Sequence, residues 1–224
     1  MSEQLLLFDE YKRKLKSFVG EERAAYIVAN GLYIVCAGSN DIANTYFHTP
    51  TRRLEYSVSS YTEYLVRLAS SFWQELQAKG ARKIGVFAVP PIGCLPAQRT
   101  LAGGIKRTCA DDYNQMVQLL NSKLSSELRR LNGAFPHARM TIFNTYDCLL
   151  DIIKNPRRYG LEISDRGCCG SGLIETGVLC NRWDLFTCSN VSGYVFWDSY
   201  HPTENVYKIV VQKLLAKLLV DLYT

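Results

Sequence analysis

Leu32-Tyr33-Ile34-Val35-Cys36-Ala37-Gly38-Ser39-Asn40-Asp41 is the stretch that decides the fold. A short, mostly apolar run ends in a glycine and a cluster of small polar residues. Such a run is too short for a globular helix and fits a strand buried on both faces. Residues 83–89 repeat the pattern and break at Pro90-Pro91, and residues 140–143 repeat it before Asn144. Helical patterns fill the gaps. Residues 4–19 carry Leu5, Leu6, Phe8, Tyr11, Leu15 and Phe18 at helical spacing, and Gly20 can stop that helix. Residues 21–30, 61–78, 146–154 and 204–222 read as further helices. Residues 112–131 form a long one, with Tyr113, Met116, Leu119, Leu120, Leu124 and Leu128 on its apolar side. Residues 166–183, rich in glycine and cysteine, read as irregular. Short apolar strands alternating with helices predict an α/β protein built on a parallel sheet covered by helices. No repeat, low-complexity tract or linker divides the chain, so residues 1–224 are expected to be a single domain.

Composition narrows the function. The 47% hydrophobic and 21% charged content is that of an ordinary globular protein. A net charge of +5 is dispersed, as in Lys12-Arg13-Lys14, Arg52-Arg53 and Arg157-Arg158, and no basic stripe interleaves with aromatics. Nucleic acid is therefore not an expected partner. Nothing approaches the apolar length of a membrane span, and residues 1–16 lack the uninterrupted apolar core of a signal peptide. Yet of the eight cysteines, Cys109, Cys168, Cys169, Cys180 and Cys188 fall in loop-like sequence. No Cys-x-x-Cys pair occurs and no histidine lies in the cluster, which favours disulfides over a metal. Cys94 and Cys109 could close one loop. Cys168 and Cys169 have Cys180 and Cys188 as their nearest candidates, in either pairing. Cys36 and Cys148, in apolar stretches, are expected to be free and buried. Asn190-Val191-Ser192 is a candidate glycosylation sequon. A secretory look without a leader predicts that the protein's N-terminus lies outside these residues.

Parallel sheets bind ligands at the carboxyl ends of their strands. Gly38–Asn40, Pro90–Gly93 and Asn144–Tyr146 should meet on that rim. Asp198-Ser199-Tyr200-His201-Pro202 can join them from the loop before the last helix. It sets a carboxylate and an imidazole three residues apart. Neutral imidazole can take a proton from an alcohol, and the carboxylate fixes its tautomer. A surface pair capping a helix is the plainer reading. His48 and His137 have no partner at informative spacing. Neither Gly-x-Ser-x-Gly nor Gly-Asp-Ser occurs, and neither Ser39 nor Ser171, the serines beside glycine, fits a nucleophile.

Several motifs stand in one family's order: Cys36-Ala37-Gly38-Ser39-Asn40-Asp41, Pro90-Pro91-Ile92-Gly93-Cys94-Leu95-Pro96, Asp112-Tyr113-Asn114, Cys168-Cys169-Gly170 with Leu179-Cys180-Asn181, and Tyr194 to Glu204. Nearly end to end, the chain resembles the plant GDSL-type esterase/lipases, a branch of the SGNH hydrolases. The resemblance implies a three-layer α/β/α sandwich with a flavodoxin-like parallel sheet. It implies carboxylic ester hydrolysis, with His201 as base, Asp198 as its supporting acid and Asn40 as an oxyanion-hole donor. It further implies acyl or lipid esters as substrates, no metal or organic cofactor, and secretion. The family's serine block and second glycine block lie upstream of anything in these residues. The expectation is a C-terminal portion without its first two strands, and catalytically silent by itself. The same residues also fit a non-catalytic remnant or a secreted, disulfide-stabilised binding protein.

Overall fold

The structure, a computed structural model, describes residues 1–180 and 186–223. Two antiparallel-prone signals, hairpin turns and alternating strands, are missing from the sequence, and the sheet is parallel throughout. Strand β1 (Leu32–Val35) pairs with β2 (Lys83–Phe87), which pairs with β3 (Arg139–Phe143), giving the order β1-β2-β3. The register sets Val35 against Val86, and Phe87 against Phe143. Helices α1 (Ser2–Val19) and α2 (Glu21–Asn30) precede β1. A π-helical segment (Asp41–His48), α3 (Pro50–Glu55) and α4 (Val58–Ala78) link β1 to β2. After β2 come α5 (Pro96–Ala102) and α6 (Asp111–Ala134), and after β3 comes α7 (Thr145–Lys154). The chain closes with β4 (Ile163–Gly167), β5 (Tyr194–Phe196) and α8 (Glu204–Tyr223).

Local chemistry explains the boundaries. The Ser57 hydroxyl accepts from Ser60 N–H at the start of α4, and Asn144 Oδ1 accepts from Asp147 N–H at the start of α7. Pro96 opens α5, where its missing N–H costs nothing. In α6, Tyr113, Met116, Val117, Leu120, Leu124, Leu128 and Leu131 are buried. Leu119, expected on that side, is 36% exposed; it sits about 100° around the helix from Leu120, beyond the stripe.

Two expectations need correction. The strand pattern predicts β1 buried on both faces, but Leu32 and Ile34 are 38% and 45% exposed. Among the described residues β1 pairs on one edge only, and nothing covers that face of it. Likewise α1 buries only Leu5, while Leu6, Tyr11 and Phe18 are exposed. Residues 166–183 are not wholly irregular. Arg166 and Gly167 end β4, which forms a second, two-stranded parallel sheet with β5, while Asn181 to Trp183 lie outside the described residues. With a single apolar residue, Ile163, β4 carries no strand signal.

Candidate active site

The Asp198–His201 stretch is a closed loop. Phe196 and Pro202 bridge as antiparallel partners, and Trp197 N–H donates to His201 O at 2.8 Å. The Asp198 carboxylate folds back into that loop, accepting from Tyr200 N–H at 2.8 Å and His201 N–H at 2.6 Å. An aspartate satisfying the N–H groups just after it is the usual chemistry of such a turn. Here it also meets the imidazole, with His201 Nδ1 at 2.8 Å and 3.0 Å from the two carboxylate oxygens. A carboxylate can only accept, so Nδ1 carries the proton and Nε2 is left with its lone pair. Asp198 is 2% exposed, whereas the His201 side chain is 61% exposed. The carboxylate is sealed in, and the far edge of the ring faces outward. Burial pushes the Asp198 carboxyl up, but hydrogen bonds from the His201 ring and from the His201 and Tyr200 N–H groups outweigh it, so its pKa is held below the ordinary aspartate value.

Asn40 follows β1 in the first turn before the π-helical segment. Its Oδ1 accepts from Asn44 Nδ2 at 3.3 Å, Asn44 Oδ1 accepts from Tyr200 Oη at 3.3 Å, and Tyr200 Oη accepts from Gln98 Nε2 at 3.0 Å. This chain joins the turn after β1 to α5 and to the residue next to His201. Gln98 is fully buried with Oε1 unpartnered. The opposite sense of donation would leave a buried NH₂ unpaired, which is rarer than an unpaired carbonyl. The sense observed leaves Asn40 Nδ2 as the free, outward end. Thus Asn40, Asp198 and His201, which the sequence separates by 158 positions or more, meet on one rim.

Other residues of the rim serve as framework. Gly93 N–H donates to Asn114 Oδ1 at 3.0 Å, and a Cβ on Gly93 would lie 2.2 Å from Ala110 O, so only glycine fits. Asn144 caps α7. His48 Nδ1 lies 2.6 Å from Ala43 O on the surface, and His137 is exposed. No serine hydroxyl among the described residues hydrogen-bonds His201. Ser171 Oγ donates to Glu175 Oε2 at 2.8 Å, and Ser199 is fully buried. A cavity of about 430 Å³ borders Gly38 and Asp41, lined by Leu5, Leu65, Phe72 and Leu124, and includes neither Asp198 nor His201.

The cysteines resolve the pairing left open above: Cys94–Cys109, Cys168–Cys188 and Cys169–Cys180 are disulfides. Cys36 and Cys148 are free, but Cys36 is exposed rather than buried, because it follows the uncovered face of β1. Among the described residues no group of three or more His, Cys, Asp or Glu side chains could hold a metal ion, and no helix is long and apolar enough to cross a membrane. Sequence reasoning missed Asn44, Gln98, Thr176 and Gly177, whose polar atoms reach the site only through long-range packing. It quoted Tyr200 without a role.

A parallel sheet with a buried carboxylate holding an outward-facing imidazole beside its rim defines an α/β protein with acid–base geometry. The chain belongs to the GDSL-like lipase/acylhydrolase family, whose model matches residues 1–214. It is 51% identical over 217 residues to GDSL esterase/lipase EXL3 of Arabidopsis thaliana, covering 97% of this chain and 59% of that protein. It is 49% identical over 222 residues to GDSL esterase/lipase At5g42170 (99% of this chain, 59% of the relative) and 50% identical over 217 residues to At3g14820 (97% and 61%), both from the same plant. The chain thus spans about three-fifths of the length of the curated relatives it matches.

Proposed function

We propose that residues 1–224 form the acid–base side and part of the oxyanion side of a carboxylic ester hydrolase acting on acyl or lipid esters. One observation carries the reading: a sealed carboxylate fixes His201 Nδ1–H at 2.8 Å while the other edge of the ring is open. In the reaction a serine hydroxyl attacks the acyl carbonyl. His201 Nε2 takes its proton and later returns it to the leaving alcohol, and Asp198 stabilises the imidazolium that forms between. Asn40 Nδ2 donates to the oxyanion of the tetrahedral intermediate, a contact worth about 3 kcal/mol to the transition state.

The serine belongs, in this reading, to a segment other than residues 1–224, which contain no Gly-Asp-Ser. By themselves these residues are inactive, since a base without an alcohol in reach has nothing to activate. The sheet is part of a three-layer α/β/α sandwich to which further strands add beside β1. The packing of both α6 and α8 on β3 supports this. The protein is secreted, a reading that the three disulfides support. Asn190, exposed, with Ser192 Oγ donating to its Oδ1 at 2.6 Å, is the proposed glycosylation site.

The test joins residues 1–224 to the part of the EXL3 relative that the match leaves out, and measures hydrolysis of a short-chain nitrophenyl ester. His201→Ala should abolish turnover; His48→Ala and His137→Ala should leave it nearly intact. Full activity in His201→Ala sinks the assignment. Residues 1–224 alone should form no adduct with a serine-directed fluorophosphonate.

A further inference from the structure

A loop closed by the Cys169–Cys180 disulfide lies against the back of the Asp198 turn. Cys168 N–H and Cys169 N–H donate to Phe196 O and Trp197 O at 3.1 Å and 2.9 Å, and Ser199 N–H donates to Glu175 O at 2.9 Å. The approach is so close that a Cβ on Gly167 would lie 2.7 Å from Asp198 O. The loop is organised from within by Glu175. Its carboxylate accepts from Ser171 N–H at 3.0 Å and Ser171 Oγ at 2.8 Å, and from Leu173 N–H and Ile174 N–H. Burial opposes the charge on Glu175, but these donors overcome it and hold its pKa at about 2. At the loop's tip Thr176 Oγ1 donates to Asp198 Oδ2 at 3.1 Å, and Gly177 N–H donates to the same oxygen at 3.4 Å. Oδ2 is also the oxygen nearer His201 Nδ1.

We propose that Thr176 and Gly177, carried on the Cys169–Cys180 loop, are positioning residues that aim the Asp198 carboxylate at His201. The inference rests on the reading of Asp198 and His201 as the acid–base pair. A carboxylate can rotate about its last torsion, which is broad. The turn's own donors, Tyr200 N–H and His201 N–H, hold only Oδ1. Thr176 and Gly177 hold the other oxygen, so the plane of the carboxylate is fixed from two sides. The disulfide closes the loop 11 residues apart, and so keeps Thr176 in place before substrate arrives. No other element supplies Oδ2 with a donor besides His201 itself. The charged and titratable groups near Asp198 are His201 and Tyr207, while the Glu175 carboxylate is turned toward Ser171.

Three variants of residues 1–224 test this. Thr176→Val keeps the shape and removes the hydroxyl. Thr176→Ser keeps the hydroxyl. Cys169→Ala/Cys180→Ala opens the loop. Carbon-13 NMR follows ionisation of the Asp198 carboxyl, which needs no turnover. In Thr176→Val and in the double variant the midpoint should move up toward the ordinary aspartate value, while Thr176→Ser should stay with the parent. In the joined enzyme described above, kcat should fall about tenfold in the same two variants, with KM unchanged, because a misaimed base loses rate rather than binding. An Asp198 midpoint identical in all four proteins overturns the clamp, whether or not the enzyme turns over. A midpoint that moves as expected, beside full turnover in His201→Ala, upholds the clamp and defeats the esterase reading. Near-UV circular dichroism identifies a variant that has lost its fold. If Thr176→Val does so, the double variant and Thr176→Ser carry the decision.

Discussion

Asp198→Asn isolates what the carboxylate does, because it changes charge and hydrogen-bonding sense at nearly constant shape. Five donors converge on the two oxygens: Thr176 Oγ1, Gly177 N–H, Tyr200 N–H, His201 N–H and His201 Nδ1–H. An amide keeps one acceptor and turns the other into a donor. Placing its NH₂ at Oδ1 would set it against two backbone N–H groups of a tight turn. Placing it at Oδ2 sets it against Gly177 N–H and His201 Nδ1, while the Thr176 hydroxyl can rotate and accept. The second placement therefore wins. It forces Nδ1 to accept, which moves the ring proton to Nε2 and removes the base. The expected fall in kcat of the joined enzyme is about 10⁴-fold, or ~5.4 kcal/mol, the scale of a wrong tautomer. Stability should change far less. One N–H loses its partner, a loss of about 1 kcal/mol, for which Tm falls about 2–4 °C in a chain of this size. Nitrophenyl ester kinetics and a thermal melt read the two effects separately. A variant whose kcat stays within tenfold of the parent refutes the role given to Asp198. A collapse of Tm by tens of degrees would show instead that the residue holds the fold.

Asn40→Ala should lower kcat of the joined enzyme about 10²-fold. Asn44→Ala and Tyr200→Phe should lower it less, and neither should add to Asn40→Ala in a double-mutant cycle; additive losses would show that the Gln98–Tyr200–Asn44 chain does not act through Asn40. Residues 1–224 expressed alone should self-associate, since β1 offers an unpaired edge beside the exposed Leu32 and Ile34, and α8 exposes Val211 and Leu215. Sedimentation giving a compact monomer with a cooperative melt counts against that. The Glu175 carboxyl is depressed to about 2, so its contribution to the loop is fully present above the ordinary glutamate range and is lost as pH falls toward 2. Amide exchange at Ser171, Leu173 and Ile174 should accelerate across that window in the parent, whereas in Glu175→Gln this acid-dependent change should be absent. Equal acid sensitivity in both proteins would mean that another group controls the loop.

Much of the layout was legible because it is written in local pattern. The three sheet strands, the long helix from residue 111 and the terminal helix each carry their own periodicity, and the parallel arrangement follows from their alternation with helices. The Asp198–His201 pair was legible for the same reason: three residues apart in one turn, the two groups meet whatever the rest of the chain does. The short elements were not legible. The segments at 41–48, 50–55 and 96–102 are too brief for a periodic signal, and β4 exists through pairing with β5 rather than through its own side chains.

Sequence by itself determined the family, the parallel α/β character and the identity of the acid–base pair, because motif order and local spacing encode them. It left the burial of β1 wrong, since a strand's second face is covered or bare according to what the remaining chain brings to it. Tertiary structure alone decided how the cysteines pair, because adjacent Cys168 and Cys169 offer the same spacing to either partner, and only the fold of the loop sends one sulfur to Cys188 and the other to Cys180. It alone brought Thr176 to Asp198, and Gln98 to Tyr200 and so toward Asn40. Hydrogen bonds that span 22 and 102 positions leave no periodic trace in a sequence; they form only when packed elements hold the donors and acceptors within reach.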